Sequence, residues 1–190
     1  MKIFKFGGAS IRDAEHIRNV AKIIGNHKDE PLLVVISALG KTTNAMEEVV
    51  QFTFDKKGEE AATKIKSVQE QHLAVLHDLM GDNTAAKDQL NQRFDQLYDI
   101  QKFHCHPEVE HRYNRLYDMI VPFGEMISTT LVNLYLRSQD YNSCWLDVRS
   151  VIKTEEIFRE GKVLWDITQS LVEDKIREEL KEKIIITQGF

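Results

Sequence analysis

Two short aliphatic runs constrain the fold of this chain more than any other feature. Residues 32–36 read LLVVI and residues 184–187 read IIIT, and neither run alternates apolar with polar residues. Strands that are apolar on both faces are typical of a parallel sheet covered by helices, whereas a strand with one wet face alternates. The two runs therefore predict central strands that are buried on both faces.

The segments around these runs alternate between strand and helix patterns. Residues 3–6 predict a first strand, and Asp13 favours an N-cap for the helix that follows. The apolar face of that helix has helical spacing and consists of Ile17, Val20, Ala21 and Ile24. Residues 143–148 predict another strand. Residues 166–183 predict an amphipathic helix whose inward side chains are Ile167, Leu171, Ile176 and Leu180. The expected fold class is α/β, a parallel sheet sandwiched by helices.

Residues 44 to about 120 are expected to form a helical insertion in this sheet, since they show no strand-like alternation. Gly81–Thr84 breaks a long helical pair, with Asn83 or Thr84 as the cap of the second helix. The pair is polar enough that we expect it to project as a lobe. The expected helices lie near 44–55, 59–80 and 84–103, with a further one starting at Pro107 or Glu108.

Composition excludes several classes of protein. The 190 residues include 30 acidic and 25 basic residues, and a net charge of −5 argues against non-specific nucleic-acid binding. No apolar run approaches the ~20 residues that span a membrane, and no signal-peptide pattern follows the first methionine. The 2 cysteines do not make a disulfide framework. We therefore expect a cytoplasmic protein with no membrane and no nucleic-acid partner.

The first candidate site is the glycine turn that follows the first strand. Gly7 and Gly8 let backbone N–H groups approach an anion closely, and a following helix would add its positive N-terminal dipole. Lys5 supplies a full charge at the strand end, where it could stabilise a transferring phosphoryl group. The alternative is that the two glycines form only a tight turn.

Two further segments carry candidate binding residues. Residues 37–44 read SALGKTTN and follow the buried strand at its carboxyl end, where ligands of open α/β sheets bind. The alternative for this segment is helix capping by Thr43 or Asn44. A later helix is expected to begin around Phe123, which places Glu125 at its N-terminus, where the alternative role is that of a helix-dipole partner.

A cluster of His104, Cys105 and His106 with His111 is better explained as a solvated loop than as a zinc site. The two histidines at 104 and 106 are too close for a typical pair of ligands, and no second cluster exists in the sequence. We predict no metal site.

Four segments of this chain resemble aspartate kinases, in the amino-acid kinase superfamily. Residues 5–10 (KFGGAS) resemble the family's KFGG[TS]S opening, and residues 37–44 resemble its SAxGxTTN loop. Residues 124–128 (GEMIS) resemble its GE[LMI]xS motif, and residues 186–190 (ITQGF) resemble a segment near the middle of the kinase domain. The segments occur in the family's order and together span the chain, so the combination is specific.

The chain departs from the family pattern at two positions. Ala9 stands where the family usually has Thr or Ser, so any role for a hydroxyl is lost there. Phe123 stands where relatives often have His, which leaves the role of the neighbouring Glu125 intact. Residues 145–149 (WLDVR) resemble the family's W-x-D-[VA]-R segment, and we expect Asp147 and Arg149 to order nearby loops.

The resemblance implies ATP-dependent phosphorylation of the β-carboxylate of L-aspartate to 4-phospho-L-aspartate, which leads to lysine, threonine and methionine. ATP would be accompanied by Mg²⁺. Lys5 would be the catalytic residue that stabilises the transferring group, and the phosphate-binding residues would be Lys5, Gly7, Gly8 and Ser10. The residues implied to bind the substrate are Ser37, Thr43, Glu125 and Phe190.

The chain stops directly after a buried parallel strand, where a natural domain seldom ends. We therefore expect residues 1–190 to be the N-terminal part of one amino-acid kinase domain, truncated and inactive alone. The nucleotide-binding half and the ACT regulatory domains of the family would be absent. Relatives are often dimers, so a homodimer is among the expectations. The alternatives are a non-catalytic amino-acid-binding or assembly module, or another amino-acid kinase such as one acting on glutamate.

Overall fold

The centre of the fold is one sheet of parallel strands. The computed structural model describes residues 1–110 and 112–189, so His111 and Phe190 lie outside the described residues. The strands are β1 (Lys2–Phe6), β2 (Leu32–Ile36), β3 (Ser143–Leu146) and β4 (Ile184–Gln188), and their order in the sheet is β1-β2-β4-β3. Every strand pair is parallel, which confirms the predicted parallel sheet.

Helices connect these strands. They are α1 (Ala14–Gly25), α2 (Thr42–Phe54), α3 (Gly58–Met80), α4 (Thr84–Cys105), α5 (Tyr113–Ile120), α6 (Phe123–Ser138), α7 (Trp165–Ile176) and α8 (Glu179–Glu182). Short 3₁₀ helices cover Gly8–Ile11 and Val148–Ser150.

Two predicted helix starts are confirmed by their capping bonds. The Asp13 side chain accepts the His16 N–H at 2.9 Å, and the Asn83 side chain accepts the Ala86 N–H at 3.0 Å. Each carboxylate or amide oxygen satisfies a backbone donor that has no partner within its helix. The four side chains predicted for the inner face of α1 are all buried.

The two faces of the sheet are covered unequally. Leu32, Val34 and Ile36 point into a large core shared with α1 to α6, whereas Ile185 packs against the smaller group formed by α7 and α8. β4 is buried along its whole length. Leu33 and Val35 of β2 remain partly exposed, so the expectation that β2 is buried on both faces holds for one face only.

The predicted projecting lobe is not separate from the core. Buried side chains of α3 and α4, such as Ile65, Leu90 and Phe94, belong to the same apolar cluster as the sheet. The reason is that α4 packs against α6, which itself contacts β3 and β4. Most polar residues of the long pair lie on its outer surface, whereas His72, Gln101 and His104 are buried.

Two other boundaries differ from the sequence prediction. The helix expected from Pro107 or Glu108 begins at Tyr113, and the one expected over 166–183 is divided into α7 and α8. Ile167, predicted to point inward, is 53% exposed, because only the later part of α7 reaches the small apolar group around Ile185.

The central helix is α6, in which every residue from Phe123 to Leu136 is buried. By length and composition, the helical stretch Tyr113–Ser138 could cross a membrane, but 94% of its apolar window is buried inside the protein. The core helix of a globular protein passes the same test, and the packing of α6 on the sheet accounts for its apolar composition.

Candidate functional site

All four strands end at one edge of the sheet. Phe6 lies opposite Ile36 in register, and Ile36 lies opposite Gln188. Leu146 at the end of β3 lies opposite Thr187 of β4. The segments that follow the strands therefore meet at the carboxyl edge, which is the position of ligand sites in open α/β sheets.

The glycine turn after β1 presents open space and an unpaired lysine. A β-carbon on Gly7 would meet no atom within 4 Å, and the carbonyl oxygen of Gly7 accepts the Ser10 N–H at 2.9 Å. Lys5 is exposed, and its ammonium makes no hydrogen bond or ion pair within residues 1–110 and 112–189. This turn can accept an anion without breaking an existing contact.

The helix α1 does not directly follow this turn. The 3₁₀ helix Gly8–Ile11 separates the glycines from α1, which begins at Ala14. The N-terminus of α1 is occupied by Asp13, whose carboxylate also contacts the His16 Nδ1 at 2.7 Å. Any anion at the turn must therefore be held by Lys5 and local backbone groups.

The loop after β2 packs directly on the glycine turn. The Ser37 N–H donates to the Phe6 carbonyl at 3.0 Å, and the Gly40 N–H donates to the Gly8 carbonyl at 3.3 Å. A β-carbon on Gly8 would lie only 2.6 Å from the Ala38 carbonyl oxygen, so the close approach requires glycine at position 8. The first two candidate segments are thus one continuous surface.

The capping alternative for this loop is wrong. Helix α2 begins at Thr42, whose hydroxyl donates to the Leu39 carbonyl at 2.6 Å, and its N-cap position is Lys41 without a side-chain capping bond. Thr43 lies in the first turn of α2. The hydroxyls of Ser37 and Thr43 are partly exposed and make no hydrogen bond in the part of the chain that the structure describes, so both can bind a ligand.

The start of α6 holds this loop from the other side. The Ser128 hydroxyl accepts the Leu39 N–H at 2.8 Å and donates to the Gly124 carbonyl at 2.8 Å. Gly124 packs so closely that a β-carbon there would lie 3.2 Å from the Ala38 side chain. The third candidate segment is therefore in contact with the second.

Glu125 lies in the first turn of α6, with 8% of its surface exposed. Its Oε2 accepts the Gly189 N–H at 2.8 Å, which links α6 to the end of β4. The helix-dipole alternative is compatible with this position, but the dipole does not account for the bond to Gly189. Phe190, the next residue and a predicted substrate contact, lies outside the described residues.

Sequence reasoning missed a buried polar network beside Glu125. The hydroxyl of Thr129 donates to the Glu125 carbonyl at 2.7 Å and accepts the Trp145 Nε1–H at 2.8 Å. It also accepts the Gln188 amide Nε2–H at 2.9 Å, and the Gln188 Oε1 accepts the Val148 N–H at 2.9 Å. The partners of Thr129 lie 16 and 59 residues away, so no local signal could have identified them.

Asp147 and Arg149 order the segment after β3, as expected. The Asp147 side chain accepts the Arg149 backbone N–H at 3.0 Å and forms an ion pair with its guanidinium at 2.6 Å. Partial burial favours a higher pKa for Asp147, but the hydrogen bonds and charge of Arg149 outweigh it and hold the pKa below its ordinary value. The hydrogen bond to Asp147 is also the main reason that the pKa of Arg149 is raised.

Cavity size alone would not locate this site. A cavity of about 730 Å³ lies on the half-covered face of the sheet, with apolar lining that includes Ile3, Val35 and Ile176. A second cavity of about 460 Å³ lies beside the start of α6 and is lined by Met126, Gln188 and others. Neither contains Lys5 or Glu125, so the contacts between segments define the site.

No group of three or more histidine, cysteine or acidic side chains in the described ranges could hold a metal ion. The expectation of a solvated loop is wrong for His104 and Cys105, which lie in the last turn of α4, where His104 is only 6% exposed. His106 follows the helix, and His111 lies outside the described residues.

Comparison with known proteins gives a consistent set of matches. Residues 1–190 match the family model described as the amino acid kinase family. The chain is 31% identical over 136 residues to chloroplastic aspartokinase 2 of Arabidopsis thaliana, covering 70% of this chain and 24% of that protein. It is 28% identical over 192 residues to lysine-sensitive aspartokinase 3 of Escherichia coli strain K12, covering 99% of this chain and 40% of that one.

A solved structure has the same fold. The crystal structure of E. coli aspartokinase III in complex with aspartate and ADP aligns with a TM-score of 0.82 and 26% identity, over 99% of this chain and 40% of that chain. The chain thus spans 24% and 40% of the two curated relatives described above.

Proposed function

The chain belongs to the amino acid kinase family, and from that premise we propose that it forms the substrate side of an aspartate kinase. The reaction is transfer of the γ-phosphoryl group of ATP to the β-carboxylate of L-aspartate, which gives 4-phospho-L-aspartate. The observation that carries the proposal is the unbroken path of contacts from Gly8, through the loop 37–41, to Glu125. The names of the relatives, and the aspartate and ADP bound to one of them, support it.

The phosphate side of the site is the turn after β1. Lys5 would stabilise negative charge on the transferring group, because its ammonium is exposed and has no ion-pair or hydrogen-bond partner among the described residues. The backbone of Gly7 and Gly8 and the Ser10 side chain would contact phosphate oxygens in the open space beside Gly7. Since the described residues offer no cluster of acidic ligands, Mg²⁺ would be held mainly by the phosphates and water.

The substrate side lies between the loop after β2 and the start of α6. Ser37 and Thr43 would donate hydrogen bonds to the amino acid, and the Glu125 carboxylate would pair with its α-ammonium. Phe190 would contact the substrate at the end of β4. The Glu125 carboxylate is well suited to bind a cation, because it is nearly buried and one of its oxygens accepts a backbone N–H, that of Gly189.

The chemistry requires little more than positioning and electrostatics. The β-carboxylate of aspartate is already ionised at pH 7, so it can attack without a general base. A bond forms between its oxygen and the γ-phosphorus, while the bond from that phosphorus to the bridging oxygen breaks and ADP leaves. Lys5 would offset the charge that develops during the transfer.

We infer that residues 1–190 contain the amino-acid site and the phosphate-binding turn. They would belong to one kinase domain that has a helical insertion over about 44–120. The chain alone is then expected to bind L-aspartate but not to complete the transfer. A cytoplasmic location and a homodimer remain predictions.

The test is to measure amino-acid binding and acyl-phosphate formation on the same folded sample. We expect L-aspartate to bind by calorimetry, with L-glutamate competing poorly, and we expect no hydroxamate when the chain is incubated with Mg·ATP, L-aspartate and hydroxylamine. A folded chain that does not bind L-aspartate would contradict the proposal, and preference for glutamate would redirect it to another amino-acid kinase.

The role of Lys5 has a matched control on the same strand. In a longer protein that completes the reaction, Lys5→Ala should abolish most hydroxamate formation, whereas Lys2→Ala, which removes an ion pair with Glu30, should leave it unchanged. Equal turnover in the two variants would refute the role of Lys5. Lys5-dependent hydroxamate from the 190 residues alone would show that they are a complete catalyst.

A further inference from the structure

We propose that Thr129 is the positioning residue that holds Glu125 against the end of β4. Its effect on substrate binding rests on the proposed function, because Glu125 is the residue that would contact the substrate. The effect of Thr129 on the structure does not rest on the proposed function. Its hydroxyl oxygen contacts both α6 and β4, the two elements that the bond between Glu125 and Gly189 joins.

The hydroxyl of Thr129 uses its whole hydrogen-bonding capacity inside the protein. It can donate one hydrogen bond and accept two. It donates to the Glu125 carbonyl, which is 2.7 Å away, with the Met126 carbonyl at 3.1 Å as a second acceptor. It accepts from the side chains of Trp145 and Gln188, and its residue is fully buried. No water is needed to complete the arrangement.

These bonds fix both partners of the contact between Glu125 and Gly189. On one side, Thr129 bonds the main chain of Glu125 itself, one turn earlier in α6. On the other side, it holds the side chain of Gln188, the residue directly before Gly189. Gln188 is in turn fixed by the Val148 N–H, so the direction of the Gly189 N–H towards the carboxylate depends on the same network.

The neighbouring Thr130 provides a matched control. Its hydroxyl donates to the Met126 carbonyl at 2.8 Å, so it makes the same kind of bond to the preceding turn of α6. Thr130 is 7% exposed, and its hydroxyl accepts from the Arg93 Nε at 3.3 Å but forms no hydrogen bond with Trp145 or Gln188. The Arg93 guanidinium lies 4.1 Å from the centre of the Trp145 ring, so the matched readout for Thr130 is the end of β4 and not the indole. Loss of the Thr130 hydroxyl therefore reports the cost of removing a buried threonine oxygen from α6 without disturbing β4.

The test uses NMR spectra of the 190-residue chain, which contains 2 tryptophans. Trp165 is 72% exposed and serves as a reference for the bonded indole of Trp145. We expect the Trp145 indole N–H to exchange with solvent more slowly than that of Trp165. In Thr129→Val the Trp145 indole and the Gly189 amide signals should both shift, and Thr129→Ser should retain both. Thr130→Val should leave the Gly189 amide signal in place.

Binding of L-aspartate gives the functional readout. Thr129→Val should weaken it about tenfold, the change expected when buried donors are left unpaired beside a binding group, and Thr129→Ser should restore it. A folded Thr129→Val chain with an unmoved Gly189 signal and unchanged affinity would overturn the proposal. If that variant does not fold, equal exchange rates of the two indoles in the unmutated chain would overturn it.

The two proposals fail separately. An unmutated chain that does not bind L-aspartate would contradict the proposed function, while the Gly189 and Trp145 signals would still decide whether Thr129 holds the end of β4.

Discussion

Gly8 and Ala38 approach each other so closely that a β-carbon at position 8 would lie 2.6 Å from the Ala38 carbonyl oxygen. This contact joins the turn after β1 to the loop after β2, and it fixes the spacing between the proposed phosphate and substrate sides of the candidate site. The same atom would lie 3.0 Å from the Gly40 carbonyl oxygen, so two backbone groups would have to move to make room.

Gly8→Ala should therefore destabilise the protein by about 1–3 kcal/mol, because the new methyl group overpacks against main chain that cannot rotate away. Gly7→Ala is the control: a β-carbon there meets nothing within 4 Å, and the φ of −78° suits any residue. Its effect should be within about 0.5 kcal/mol. Urea unfolding measures both, and equal losses would show that the approach of Gly8 to Ala38 is not tight in solution.

Glu125→Gln should weaken binding of L-aspartate with little loss of stability. Glutamine keeps the shape of the side chain and can still accept the Gly189 N–H, but it removes the negative charge that would pair with the ammonium. The expected loss of binding free energy is about 2 kcal/mol or more. The control is Glu47→Gln, which removes a carboxylate charge elsewhere in the protein. The Glu47 Oε1 accepts a hydrogen bond from the Tyr117 hydroxyl at 2.8 Å. Calorimetry that gives both variants the same dissociation constant would exclude Glu125 from the substrate site.

The stability of the chain should depend on pH through His72. Burial holds the pKa of His72 at about 4, although its hydrogen bond to the Val68 carbonyl favours a higher value. The carbonyl can only accept, so Nδ1 carries the proton, and Nε2 has no hydrogen-bond partner among residues 1–110 and 112–189. Because the unfolded chain binds a proton at this position near pH 6.5, stability should fall as the pH is lowered from about 6.5 towards 4.

The loss attributable to His72 over that range is about 3 kcal/mol. In His72→Leu this part of the pH dependence should vanish. The free energy of unfolding of the variant should therefore rise relative to that of the unmutated chain as the pH falls. His77→Asn, on an exposed side chain of the same helix, should keep the pH dependence. Chemical unfolding at a series of pH values makes the comparison, and parallel curves for the unmutated chain and His72→Leu would contradict the assignment.

Lys56 should control the order of the segment between α4 and α5. Its ammonium donates to the carbonyl oxygens of His104, His106 and Val109 at 2.9, 2.8 and 2.7 Å. The His104 carbonyl belongs to the last turn of α4, and a cation is favourable at the C-terminus of a helix. Lys56→Met should accelerate amide exchange and proteolysis in residues 104–110.

Lys57→Met is the control for that experiment, because among the described residues the Lys57 ammonium pairs only with Asp55, at 4.0 Å. Unchanged exchange in Lys56→Met, or equal changes in both variants, would show that the three carbonyl contacts do not order the segment.

Periodicity and capping predicted most of the fold because they are local signals. The helical spacing from Ile17 to Ile24 and the caps Asp13 and Asn83 depend on residues within one or two turns, and the structure confirms them. The division between α7 and α8 has no such signal. Leu33 and Val35 are apolar residues that would suit either a covered or a partly open face of the sheet. Their partial exposure therefore could not be predicted from the sequence.

The candidate site divides in the same way. Gly8, Ser37 and Glu125 were identified because each lies in a recognisable segment at a strand or helix end. Thr129 and Gln188 were missed because their contact joins positions 59 residues apart and depends on how α6 crosses the sheet. The 3₁₀ helix Gly8–Ile11 between the turn and α1 was missed because it leaves no mark in the apolar spacing.

The complete burial of α6 has a consequence for the dynamics of the site. A helix whose residues from Phe123 to Leu136 are all inside the core should exchange its amide hydrogens only through opening of the whole domain. Lys5, by contrast, lies on the edge strand β1, and Gly7 follows the end of that strand, so we expect their amide hydrogens to exchange through local opening. We therefore expect amide hydrogens around Glu125 to exchange more slowly than those around Lys5. The amino acid would bind to a part of the site that is already formed around Glu125. The groups of the turn around Lys5 would change conformation when the phosphate binds.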